Sequence, residues 1–145
     1  MQESMSVLLA DDNLPFRETL REIICMLQPG WRVIEAGDGL EAIQLAEAKS
    51  PRLIFLDFNM PIMSGYEVAI TLQKKSETAT IPLVLMTSED TDNPLVHRLS
   101  ALCAAVLYKP FSLKDLERLI NRVLANKSTT TTPSLQMGQL LLEAV

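Results

Sequence analysis

The stretch LIFLDFNMPIMSG, residues 53–65, decides how this chain is read. Leu53, Ile54, Phe55 and Leu56 run without interruption into an acid, Asp57, and turn-forming residues follow. A strand that is apolar throughout, and not alternating, is covered on both faces, as in parallel sheets packed between helices. In such sheets ligands bind outside the carboxyl ends of the strands. Asp57 ends the run, so it is expected at the rim of the sheet and not in its core.

The segments on either side repeat this design. SVLLADD (6–12) is an apolar run that ends in two acids, Asp11 and Asp12. Behind it Phe16, Leu20, Ile23, Ile24 and Leu27 recur at helical spacing until QPGW stops the helix. RVIEA (32–36) reads as a second strand, followed by a helix over 39–49 that carries Leu40, Ile43, Leu45 and Ala46. RLIFLD (52–57) is the third strand. After its loop, a helix from Ser64 to Lys75 turns Tyr66, Val68, Ala69 and Leu72 inward. IPLVLMT (81–87) is a fourth strand with Pro82 confined to its very start, because proline cannot donate to a ladder. A weaker helix over 93–102 leads to a fifth strand, AAVLY (104–108). The last helix, 112–126, has Leu113, Leu116, Leu119, Ile120, Val123 and Leu124 as an apolar stripe and Ser112 as its N-cap. Five strands alternating with five helices predict a doubly wound, five-stranded parallel α/β sheet.

Bulk properties narrow the function. The 145 residues suffice for one domain with a real core, and 48% hydrophobic against 21% charged residues is a globular balance. A net charge of −5 without a Lys/Arg cluster argues against direct nucleic-acid binding. Cys25 and Cys103 lack metal-ligand spacing and read as reduced thiols in or near the core. No apolar stretch approaches the ~20 residues of a membrane span. The N-terminus MQESMS shows no signal-peptide pattern. The expectation is a cytoplasmic protein with no membrane partner. The domain is placed at 5–126. KSTTTTPS (127–134) reads as a polar linker, and LQMGQLLLEAV (135–145) as a short apolar tail, either a docking segment or the start of a further domain.

The strand ends carry the chemistry. The first ends in Asp11 and Asp12, the third in Asp57, the fourth in Thr87 and Ser88, and the fifth in Lys109 and Pro110. Each residue alone has an ordinary explanation: a strand-end Asp or Asn13 caps a helix, Thr87 does the same, and a lysine before proline is a solvated loop residue. Together they ask for a common one. Three carboxylates in one site repel unless a cation joins them. A hard divalent cation with oxygen ligands, Mg²⁺ above all, suits that set. A lysine and a hydroxyl would then hold phosphoryl oxygens, and a carboxylate can itself be the nucleophile.

The stretches LLADDN (8–13), GDGLEAI (37–43), LIFLDFNMPIMSGYE (53–67), VLMTSE (84–89) and YKPF (108–111) resemble the receiver domain of two-component response regulators, chemotaxis-type regulators among them. The resemblance covers residues 5–126 and implies the flavodoxin-like receiver fold. It implies that Asp57 accepts phosphate from a histidine kinase or phosphotransfer protein. It implies Mg²⁺ held by the Asp12 and Asp57 side chains and the Asn59 carbonyl, with Asp11 helping directly or through water. Thr87 is then the switch hydroxyl, Ser88 the small residue that admits phosphate, and Lys109 the phosphoryl contact, beside a cis bond to Pro110 that aims it inward. The resemblance makes the domain no enzyme beyond its own phosphorylation and dephosphorylation. Phosphorylation would shift the face formed by the fourth helix, fifth strand and fifth helix. A downstream target or a second copy of the domain then reads that face. Leu95, Val96, Tyr108, Lys114, Glu117, Arg118 and Arg122 are its candidate surface residues.

Some positions depart from the family. Val106 stands where an aromatic switch residue is common, and Tyr108 faces away from Lys109 by strand alternation, so switching must rely on backbone and loop shifts. Leu102 and Cys103 replace the usual Gly-Ala before the fifth strand, and Phe58 stands where some members have Trp. Asn59 and Glu89 occupy positions that tune phosphoryl lifetime, with hydrolysis expected on the fast side of the family range. Other readings fit less. GDGLEA (37–42) matches a dinucleotide-binding pattern but follows the second strand, and it leaves Asp11, Asp12 and Lys109 unexplained. An Asp-dependent phosphohydrolase needs an acid two residues after its nucleophile, where Asn59 offers an amide that cannot transfer the proton. His97, the only histidine, reads as exposed. A receiver-like docking module that is never phosphorylated is the remaining alternative.

Overall fold

The computed structural model describes residues 5–88 and 92–127. Its elements follow one another as β1 (Ser6–Ala10), α1 (Leu14–Leu27), β2 (Arg32–Ala36), α2 (Gly39–Lys49), β3 (Leu53–Asp57), α3 (Gly65–Gln73), β4 (Leu83–Thr87), α4 (Pro94–Leu102), β5 (Ala105–Tyr108) and α5 (Leu113–Lys127). The strands form one sheet in the order β2-β1-β3-β4-β5, every pair parallel. This is the doubly wound fold the sequence predicts. The direction of winding reverses between β1 and β3, so the topological switch point lies where Asp11 and Asp57 emerge.

Strand alternation sorts the core into two layers. Val7, Leu9, Leu53, Phe55, Val84, Met86, Ala105 and Leu107 face α1 and α5, whose Leu20, Ile24, Leu116, Leu119, Ile120 and Val123 cover them. Leu8, Ala10, Ile54, Leu56, Leu85 and Val106 face α2, α3 and α4. Each helix starts on a side chain that satisfies an otherwise orphaned N–H: Asn13, Asp38, Ser64 and Asn93 cap the first four, and Ser112 accepts from Asp115 at the fifth. Such a cap stabilises by about 1 kcal/mol.

Several details differ from the sequence reading. β2 is an edge strand that is only half covered, and its Glu35 pairs with Arg17 and Arg21 of α1. β4 starts at Leu83, but the Pro82 carbonyl still accepts a ladder bond from Ile54. Leu40 and Leu113 are about half exposed, both in the first turns of their helices, α2 and α5. Val96 is buried, not a surface residue: α4 turns Val96 and Leu99 into the core and leaves Leu95 outside. Cys103 is buried against the α4 layer, and burial pushes its thiol up to about 12, so it behaves as an apolar filler. His97 is exposed on α4. No helix among the described residues is long and apolar enough to cross a membrane. Glu89 and the segment beyond Lys127 lie outside the described residues.

Candidate functional site

Three cross-strand bonds fix the rim just past the strand ends. The Asp11 N–H donates to the Ala36 carbonyl at 3.1 Å, Phe58 N–H to Met86 at 2.9 Å, and Lys109 N–H to Thr87 at 2.8 Å. The ladder therefore continues one residue past β1, β3 and β5 and ties the site backbone to the neighbouring strands. Asp11, Asp57 and Lys109 share the alternation of Leu9, Phe55 and Leu107, so their side chains rise on the α1/α5 side of the rim.

There they meet. Carboxylate oxygens of Asp11, Asp12 and Asp57 all lie within 4.8 Å of one another. The Lys109 ammonium donates to Asp11 Oδ2 at 2.7 Å and to Asp57 Oδ1 at 3.1 Å, from a strand that is not adjacent to either. The Lys109–Pro110 peptide is cis. Asp11 Oδ1 accepts the Asn13 N–H, and Asn13 Oδ1 in turn caps α1 through the Phe16 N–H. Arg17 donates from Nη1 to the Asp11 carbonyl at 2.7 Å and from Nε to Glu35 at 2.9 Å, tying the end of β1 to β2. Sequence reasoning passed over Arg17, Glu35 and the ring of Phe16; an Arg one helical turn behind the paired acids was the available signal.

Burial sets the electrostatics. Asp57 is 6% exposed and Asp11 1%, while Asp12 faces solvent. Burial, reinforced by the Asp11 charge and opposed by Lys109, raises the Asp57 carboxyl from 3.8 to about 6. Burial disfavours the charged form of Lys109, but its bond to Asp11 and the charges of Asp57 and Asp11 outweigh that, so the amine is held above its ordinary value. Thr87 is fully buried at the end of β4, Ser88 beside it is exposed, and Asn59 is exposed two residues after Asp57. Gly65 closes the β3–α3 loop: its N–H donates to the Phe58 carbonyl at 2.8 Å, and a Cβ there would lie 2.4 Å from the Asp57 carbonyl.

The donor set tests the fit of a metal. It is all oxygen, it converges, and an ammonium already bridges two of its members, as a cation between like charges should. A hard divalent ion suits such ligands and a thiophilic one does not.

The chain belongs to the response regulator receiver domain family, which it matches over residues 7–121. It is a phospho-accepting receiver domain of two-component signalling. It is 32% identical over 144 residues to a probable transcriptional regulator, ycf27, of Cyanophora paradoxa, covering 94% of this chain and 58% of that one. The chain thus spans about three fifths of the length of such relatives. Among solved structures it resembles the chemotaxis response regulator CheY4 of Vibrio cholerae, with a TM-score of 0.74 at 28% identity over 83% of this chain and 99% of that one. It shares its fold with the receiver domain of the sensor histidine kinase PA1611 of Pseudomonas aeruginosa, at a TM-score of 0.74 and 24% identity over 83% and 97% of the chains; magnesium is coordinated in that protein's cleft.

Proposed function

We propose that Asp57 is the phosphoacceptor, charged by the phosphohistidine of a kinase or phosphotransfer protein. The observation that carries this reading is the gathering of Asp11, Asp12 and Asp57 within 4.8 Å at the rim, with the Lys109 ammonium on two of them. An Asp57 carboxylate oxygen attacks phosphorus; the O–P bond forms as the donor's N–P bond breaks, and the imidazole nitrogen keeps the electron pair. Lys109, already 3.1 Å from Asp57, follows the charge onto the phosphoryl oxygens. The Thr87 hydroxyl donates to the same group, and the small Ser88 leaves room for it. Asp11, Asp12, Asp57 and the Asn59 carbonyl are the residues that would hold Mg²⁺. When bound, the ion supplies positive charge that favours ionised Asp57 and offsets the incoming phosphoryl charge.

The unit that switches is residues 5–126, and its output face is α4-β5-α5. Leu95, Lys114, Glu117 and Arg118 are exposed there, and Tyr108 and Arg122 are half-buried. Because Val106 is a buried aliphatic in place of a mobile aromatic, the phosphorylated state is transmitted by movement of the Thr87 and Lys109 backbone segments, which the 2.8 Å bond between them couples. A downstream protein or a second copy reads the shifted face. Asn59 and Glu89 set a short phosphoryl lifetime.

Intact-protein mass spectrometry after brief exposure to acetyl phosphate tests the reading, with Asp57→Asn alongside. The expected result is a Mg²⁺-dependent gain of one phosphoryl group that the variant lacks. No gain in either protein, together with failure to bind beryllofluoride, leaves a receiver-shaped docking module that is never phosphorylated.

A further inference from the structure

Besides its two carboxylate partners, Lys109 has a third neighbour that no sequence signal announces. Its Nζ lies 4.2 Å from the centroid of the Phe16 ring. Phe16 stands in the first turn of α1, and its ring meets Phe111 edge-on, with centroids 5.9 Å apart and planes at 85°. The ammonium stands over the Phe16 ring, where the negative face of the π-system attracts it. The backbone of Phe16 is fixed to the same site, since its N–H reaches Asn13 and the Asn13 N–H reaches Asp11. Asp11, Asn13, Phe16 and Lys109 thus form a closed ring of contacts.

The carboxylates are the groups that a divalent cation and a phosphoryl group would claim. The ring is not. We propose that Phe16 is a positioning residue for phosphoryl transfer: its face keeps the Lys109 ammonium at the rim when Asp11 and Asp57 turn to the cation and the phosphoryl group. The proposal rests on Asp57 being the phosphoacceptor. It assigns to α1 a share in aiming the lysine that does not depend on charge pairing.

The test uses the full chain with Phe16 replaced by trifluorophenylalanine, which keeps the ring's size while draining its face, and by Leu and Trp. In the metal-free wild-type protein, ring current should shift the Lys109 ε-methylene protons upfield, and the shift should persist when Mg²⁺ and beryllofluoride are added. Phosphorylation by acetyl phosphate should slow by roughly three- to tenfold in the trifluoro and Leu variants and recover with Trp. Mg²⁺ affinity and the melting temperature of the trifluoro variant should stay at wild-type values, which separates aiming from packing. An unchanged rate in the trifluoro variant, or loss of the upfield shift in the beryllofluoride state, overturns the proposal alone. A wild-type protein that takes up no phosphoryl group overturns it together with the reading of Asp57.

Discussion

Replacing Asp57 by Asn should make the metal-free protein more stable, although it removes a lysine partner. Folding carries this carboxyl to a buried site beside Asp11 and raises it from 3.8 to about 6. An acid raised by folding is more protonated in the native state than in the unfolded one, so its ionisation opposes folding. The cost is absent below the unfolded value, grows as pH rises through about 6, and is complete above 7. A rise of about two in pKa corresponds to a ceiling of about 3 kcal/mol. Water at the open rim screens this to roughly half. Asp57→Asn should therefore gain about 1–2 kcal/mol at pH 8, and about half as much at pH 5. Lys109 keeps its 2.7 Å bond to Asp11 in the variant, so the ammonium is not left alone. Urea titrations in EDTA at the two pH values measure the gain directly. Saturating Mg²⁺ should reverse the order, because an ion that prefers the three-carboxylate site stabilises the wild type by about 2.7 kcal/mol at a hundredfold its Kd. A variant no more stable than wild type at pH 8, or a gain that does not grow between pH 5 and 8, would refute the argument that Asp57 is held ionised at a cost.

Lys109→Met should destabilise the metal-free fold by about 1–3 kcal/mol, since it strands two buried carboxylates, yet calorimetry should find Mg²⁺ bound more tightly because no ammonium must be displaced. Gly65→Ala should cost about 2 kcal/mol or more in a denaturant melt, because the new Cβ would lie 2.4 Å from the Asp57 carbonyl and the β3–α3 loop must yield. Arg17→Met removes the donors to the Asp11 carbonyl and Glu35; a loss of about 1–2 kcal/mol should accompany a several-fold weaker Mg²⁺ affinity, and an unchanged affinity would show that the end of β1 needs no tether. Val106→Tyr should lower the thermal midpoint through overpacking of about 1–3 kcal/mol, as Val106 is 1% exposed.

The residues that carry chemistry were legible because they interrupt a pattern. An apolar strand that ends in Asp57, another that ends in Asp11 and Asp12, and a lysine before proline after the fifth strand stand out from strands that are otherwise continuously apolar and helices that keep a period of 3.6. Local rules placed the starts of α2, α3, α4 and α5 to within a residue, and the Ser112 cap marks the last of them, since capping depends on groups three residues apart. Periodicity was less informative about orientation. It could not tell that α4 buries Val96 and shows Leu95, or that Leu40 and Leu113 stay half exposed, because a stripe on a helix does not say which of its members the opposing layer covers.

Residue order along the chain specifies an inventory: five parallel strands, five helices, and acids, hydroxyl and lysine at the strand ends. Tertiary structure alone decided the distances. Lys109 lies 98 residues from Asp11 and 52 from Asp57, on a strand that touches neither β1 nor β3, and reaches both with a long side chain. The pKa of Asp57, the tether from Arg17 and the ring of Phe16 under the ammonium arise only after that convergence. Each depends on desolvation or on contact between segments that are remote in the chain, and no local pattern encodes either.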